Sequence, residues 1–125
     1  MKSKILVVDD AIFMRKMISE ILEENGMEVV GEADTGSRAV ERFKELRPDL
    51  VTMDIIMPEM NGIDAVREII AMDSNAKIVM CSALGQQALV QEALTAGAKD
   101  FLIKPFNPSR VIEVIGKVLS QTANV

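Results

Sequence analysis

Two hydrophobic periods alternate along this chain, and that alternation leaves few folds open. Short runs rich in Val and Ile are followed each time by longer segments whose apolar residues recur every three and four positions. Residues 5–8, 27–31, 50–53, 78–81 and 101–103 are the short runs, expected as strands. The first, Ile5-Leu6-Val7-Val8, is apolar on both faces, as a buried parallel strand should be. Between the runs lie five expected helices. Met14, Met17, Ile18, Ile21 and Leu22 form the stripe of the first, which Asn25-Gly26 stops. Ala39, Val40 and Phe43 mark a short second helix closed by Arg47-Pro48, since a residue before proline avoids the helical region. Asn61-Gly62 opens a third, carrying Val66, Ile69 and Ile70. Leu89, Ala93 and Leu94 define a fourth that ends at Gly97. The fifth has Asn107 as N-cap, Pro108 in its first turn, and Val111, Ile112, Ile115, Val118 and Leu119 on its apolar side.

Five strands alternating with five helices imply an α/β fold: a parallel sheet covered on both faces, joined by right-handed crossovers. The usual solution at this length is a doubly wound, flavodoxin-like sheet in the order 2-1-3-4-5. The chain has 125 residues, enough for one domain over 1–125, with no linker, repeat or low-complexity stretch. Its 49% of apolar residues supply a core without disulfides or a structural metal. The single Cys81 excludes an internal disulfide, and there is no histidine to join it in a zinc site. No apolar run reaches a membrane span or forms a signal peptide, so a cytoplasmic protein without a membrane partner is expected. A net charge of −5 argues against nucleic acid as partner. The absence of histidine closes every mechanism that needs one as base, nucleophile or ligand within the chain.

In doubly wound sheets ligands bind outside the carboxyl ends of the strands, near the switch point between strands 1 and 3. There the sequence places Asp9-Asp10 after strand 1, Asp54 after strand 3, Ser82 after strand 4 and Lys104-Pro105 after strand 5. Two carboxylates about 4 Å apart repel by roughly 4 kcal/mol at an effective dielectric near 20. Three carboxylates and one ammonium leave −2, which a divalent cation balances. Hard oxygen ligands select magnesium, manganese or calcium, and carboxylates with waters and a phosphoryl oxygen suit Mg2+. A carboxylate can accept a phosphoryl group as an acyl phosphate, and Asp54, central between the acid pair and Lys104, is the expected acceptor. Lys104 can pair with the added charge, and the Ser82 hydroxyl can donate to a phosphoryl oxygen.

Val7-Val8-Asp9-Asp10, Met53-Asp54 with Met57-Pro58 and Asn61-Gly62, Cys81-Ser82-Ala83, and Lys104-Pro105-Phe106 together resemble the signature of bacterial response-regulator receiver domains. The likeness runs from Lys4 to about Leu119, and within the family it is greatest to single-domain chemotaxis regulators, through the stretches 10–15 and 82–87. The resemblance implies a switch rather than an enzyme. Asp54 would take phosphate from a phosphohistidine on a sensor histidine kinase. Mg2+ would be held by Asp9 or Asp10, by Asp54 and by the backbone carbonyl of Ile56. Ser82 and Phe101 would form a coupled switch pair, changing the face of helix 4, strand 5 and helix 5 so that it binds a motor component or other target. The chain would act as a monomer with no output domain of its own. Chemotaxis regulators often carry tyrosine at the position of Phe101, and any output hydrogen bond through that oxygen is lost here.

Other functions compete with this one. A phosphorelay intermediate, passing phosphate to a second histidine, would use the same residues. An aspartyl-phosphate phosphatase resembling the haloacid dehalogenase group needs Asp-x-Asp after strand 1, where this chain has adjacent acids followed by Ala11. A flavin module would want a Ser/Thr-rich loop and stacking aromatics, and the chain has neither Tyr nor Trp. Cys81 and most of the nine methionines, Met57 and Met60 included, read as structural. In the family, the positions of Ile56 and Leu84 flank the phosphoryl group, and apolar side chains there imply slow loss of phosphate. Ile56→Asn and Leu84→Glu are expected to hasten it; unchanged decay of radiolabelled phosphoprotein would contradict that expectation.

Overall fold

Runs such as Ile5-Leu6-Val7-Val8 put apolar side chains on both faces of a strand, so the sheet they build must be covered twice. The computed structural model, which describes residues 2–121, has that architecture. The strands are β1 (Lys4–Val8), β2 (Glu28–Ala33), β3 (Leu50–Asp54), β4 (Ile78–Ser82) and β5 (Asp100–Ile103). The helices are α1 (Ile12–Glu24), α2 (Gly36–Leu46), α3 (Gly62–Met72), α4 (Gln87–Ala96) and α5 (Pro108–Leu119). All strand pairs are parallel, in the expected order β2-β1-β3-β4-β5.

Alternation along each strand divides the core. Leu6, Val8, Val51, Met53, Ile78 and Met80 face α2, α3 and α4, meeting Phe43, Ile63, Val66, Ile69 and Val90. Ile5, Val7, Leu50, Val79, Cys81 and Leu102 face α1 and α5, meeting Ile18, Leu22, Val111, Val114, Ile115 and Val118. Val90 and Val114 are buried although the periodicity did not single them out. Each lies beside a chosen stripe residue, because the sheet covers more of a helix than one narrow seam. β2 runs two residues further than expected, to Ala33, because Val8 pairs with Ala33 and the Asp9 amide donates to the Ala33 carbonyl at 3.1 Å.

Local chemistry sets the helix ends. The side chains of Thr35, Asn61 and Asn107 accept hydrogen bonds from the amides of Arg38, Asp64 and Arg110, capping α2, α3 and α5. α2 does close at Arg47, with the residue in a left-handed conformation (φ 44°) and its guanidinium 5.4 Å from the centre of the Phe43 ring.

Two glycines pin the loop between β3 and α3. The Gly36 amide donates to the Met60 carbonyl at 3.0 Å, Ser37 Oγ donates to the Glu59 carbonyl at 2.8 Å, and the Gly62 amide donates to the Ile55 carbonyl at 2.7 Å. A Cβ on Gly36 would run into the Met60 carbonyl, and one on Gly62 into the Asp54 carbonyl. Backbone oxygen cannot step aside as the tip of a side chain can. Gly62→Ala is therefore expected to cost about 3 kcal/mol, read as a lower urea midpoint; a midpoint unchanged from the parent would show that the loop has slack.

Candidate functional site

Parallel strands end together, so the residues that follow them share one rim. Register does the rest. Val8 pairs with Met53, which sets Asp9 beside Asp54 across the β1–β3 seam. By the two-residue alternation both carboxylates continue the positions of Val7 and Thr52, toward the α1/α5 side. Lys104 continues the position of Leu102 on that side, and its amide donates to the Ser82 carbonyl at 2.8 Å. Its ammonium lies 2.8 Å from Asp9 Oδ2 and 3.2 Å from Asp54 Oδ1. The Lys104-Pro105 bond is cis.

Asp9 is held on every side. Oδ2 takes Lys104, Oδ1 accepts from the Ala11 amide at 2.9 Å, and its carbonyl accepts from Arg15 Nη1 at 2.7 Å. Asp54 is buried, with Oδ1 also accepting from the Ile55 amide at 3.0 Å. Asp10 differs: it is exposed, and its carboxylate has no hydrogen-bond or ion-pair partner among the described residues. The three acids nevertheless present one oxygen each within 4.8 Å of one another. Three hard oxygen donors, with no histidine or available thiol among them, fit a hard divalent cation. The Cys81 thiol nearby is buried, and burial pushes its pKa up, away from a thiolate.

Electrostatics follow the geometry. Burial, and then the Asp9 carboxylate, raise Asp54 from 3.8 to about 6, against the opposing pull of Lys104. Burial also works against the Lys104 ammonium, yet hydrogen bonding and charge from Asp9 and Asp54 hold its pKa above the usual range. The site thus binds its lysine firmly while leaving one carboxylate reluctant to ionise.

Ser82 and Phe101 fall on the other side of the sheet. Asp54 pairs with Cys81, so Ser82, one residue on, takes the opposite face. There it lines a cleft of about 220 Å³ with Gln86, Val90, Leu94 and Phe101. Its Oγ is buried and has no hydrogen-bond partner among the described residues. The Ala83 amide beside it donates to Gln86 Oε1 at 2.8 Å. Ile56 and Leu84 project from neighbouring loops, 59% and 78% exposed. The structure therefore gathers Asp9, Asp10, Asp54 and Lys104 into one cluster and turns Ser82 and Phe101 into an adjoining cleft. Sequence reasoning passed over Arg15 as a contact of Asp9. The available signal was that Arg15, unlike Lys16, stands three residues before Ile18 and seven before Leu22, in line with the buried side of the helix.

A family model described as the response regulator receiver domain matches residues 5–116. The chain is 62% identical over 118 residues to the chemotaxis protein CheY of Thermotoga maritima, covering 94% of this chain and 98% of that protein. It is 59% identical to the chemotaxis protein CheY of Bacillus subtilis, covering 96% and 100% respectively. Its fold is similar to that of a chain in the CheX-CheY-BeF3-Mg+2 complex from Borrelia burgdorferi, with a TM-score of 0.90, 36% identity, and coverage of 95% of this chain and 90% of that one.

The raised pKa of Asp54 makes a testable stability statement. Because the folded state holds this proton more tightly than the unfolded chain, the side chain's contribution to stability falls as pH rises from about 4 through about 6. In chelator at pH 7.5, Asp54→Asn should therefore raise stability by about 1–2 kcal/mol, or roughly 4–8 °C in Tm. That gain should shrink toward pH 4. A variant less stable than the parent at pH 7.5 would refute the electrostatic account.

Proposed function

The chain belongs to the response regulator receiver domain family, and on that premise we propose that Asp54 is the phosphoacceptor of a chemotaxis response regulator. The Lys104 ammonium lodged between Asp9 and Asp54 is the observation that carries this reading. A lysine in that position neutralises one acid while the other reacts, and it remains within reach of the charge that the reaction adds.

In the transfer, an Asp54 carboxylate oxygen attacks the phosphorus of a phosphohistidine on a partner kinase. The P–N bond breaks as the new P–O bond forms, and the imidazole keeps the electron pair and takes up a proton. The donor histidine has to come from another protein, because this chain contains none. Asp54 gains about one negative charge as an acyl phosphate, and Lys104 pairs with it. Asp9, Asp10, Asp54 and the backbone carbonyl of Ile56 are the groups we assign to Mg2+, which when bound neutralises the acid cluster and the incoming phosphoryl oxygens. Support for that ion comes from the donor set and from the Mg+2 in the related Borrelia complex.

Readout runs through the adjoining cleft. A buried hydroxyl without a partner costs free energy until it finds one, and a phosphoryl oxygen on Asp54 offers Ser82 that partner. Turning toward it vacates space beside Phe101, into which the ring moves. The surface of α4, β5 and α5 then changes for a target protein, which in a chemotaxis system is a motor component. Only the difference in free energy between the two states can drive this shift, on the order of a few kcal/mol.

Incubation with acetyl phosphate and Mg2+, followed by intact-mass measurement, tests the assignment. One added phosphoryl group is expected on the parent, and none on Asp54→Asn or in chelator. Equal incorporation by Asp54→Asn would place the acceptor elsewhere.

A further inference from the structure

Arg15 is an unusual residue for its place. It lies on α1 between Met14 and Met17, and its side chain is only 15% exposed. Burying a guanidinium is costly unless its donors are used in the directions its rigid fork dictates. Both directions are used. Nη1 donates to the Asp9 carbonyl at 2.7 Å, and Nε donates to Glu32 Oε1 on β2 at 2.8 Å. Arg15 thus reaches back from the helix to the turn that precedes it and braces that turn against the neighbouring strand.

The turn needs such a brace. Ala11 is the N-cap of α1 and supplies no side-chain cap. Residues 9–11 are held by the Asp9 amide on the Ala33 carbonyl, by Asp9 Oδ1 on the Ala11 amide and by Arg15 on the Asp9 carbonyl. The Asp10 carboxylate projects from this turn with no partner of its own among the described residues. Its position is set through the backbone alone.

We infer that Arg15 is a positioning residue for the divalent-cation site: by clamping the Asp9 carbonyl toward Glu32 it fixes the turn that presents Asp9 and Asp10 to the ion. This rests on the cation reading given above. Arg15 makes no contact with the ion and acts through the backbone. Lysine would keep the charge and lose the fork, so charge and geometry separate.

The test is Mg2+ affinity, measured by titration of amide NMR signals in the unphosphorylated protein. Saturable shifts at residues 9–11 and around Asp54 are expected for the parent. Arg15→Gln and Arg15→Lys should both weaken binding on the order of tenfold, the usual scale for groups that orient metal ligands. Signals of β4, β5 and α5 should stay in place, so that loss of affinity is not loss of fold. Adding Asp10→Asn to Arg15→Gln should cost less than Asp10→Asn alone, since a misplaced ligand has less to lose. Parent-like affinity in a folded Arg15→Gln overturns the clamp while leaving the cation reading intact. A parent that shows no saturable binding removes both. Should Arg15→Gln fail to fold, Glu32→Ala, which keeps the Asp9 contact and frees the far end of the fork, replaces it: a few-fold weakening is expected, and parent-like affinity counts against the clamp.

Discussion

Asp9 and Asp54 sit with carboxylate oxygens inside 4.8 Å of each other and of Asp10, at the exit of two neighbouring parallel strands. Charges at that separation repel by about 3 kcal/mol at an effective dielectric near 20, a sizeable share of a small domain's stability. Lys104 offsets part of this by bridging Asp9 and Asp54. The remainder shows in Asp54, whose pKa is lifted to about 6 by burial and by its acidic neighbour. On the reading proposed above, a cation at the acids and then a phosphoryl group at the lysine complete a cluster left this far from balance.

The fold enforces that imbalance at no single point. The Val8–Met53 register aligns two acids. The apolar cores on the two sheet faces prevent a one-residue slip that would carry Asp9 or Asp54 to the other side. The β3–α3 loop is pressed against Asp54 and against the start of α2 by two residues that carry no Cβ, Gly62 and Gly36. Arg15 secures the β1–α1 turn from the opposite direction. The β1–α1 turn and the β3–α3 loop are thereby fixed beside the acid cluster, a preorganisation that suits the proposed transfer.

The division of residues between the two faces bears on signalling. Asp9, Asp54 and Lys104 belong to the α1/α5 side, whereas Ser82 and Phe101 line a cleft on the α4 side. The acid cluster and the cleft that the proposed readout uses are thus adjacent across the thickness of one sheet. Ser82 ends β4, and its buried hydroxyl, without a partner among the described residues, is the group on which the proposed readout turns. This arrangement suits a chain of the receiver family, in which a covalent change at one residue has to alter a surface some distance away.

The order of elements, the parallel sheet and the make-up of the acid cluster are legible in the sequence, because they follow from periodicity and from what must lie where parallel strands end. Asp9, Asp10, Asp54 and Lys104 were legible for that reason, as were the caps Asn61 and Asn107, whose chemistry is local. Tertiary structure alone decided the rest. Val90 and Val114 are buried because of how wide a strip of helix the sheet covers. Ser82 lines the adjoining cleft because pairing with Asp54 falls on Cys81, a matter of register that no local pattern records. Arg15 gains its second contact because β2 brings Glu32 alongside α1, a meeting of residues 17 positions apart. Periodicity reports which face of an element is apolar; which side chains meet across elements is settled only when the layers pack.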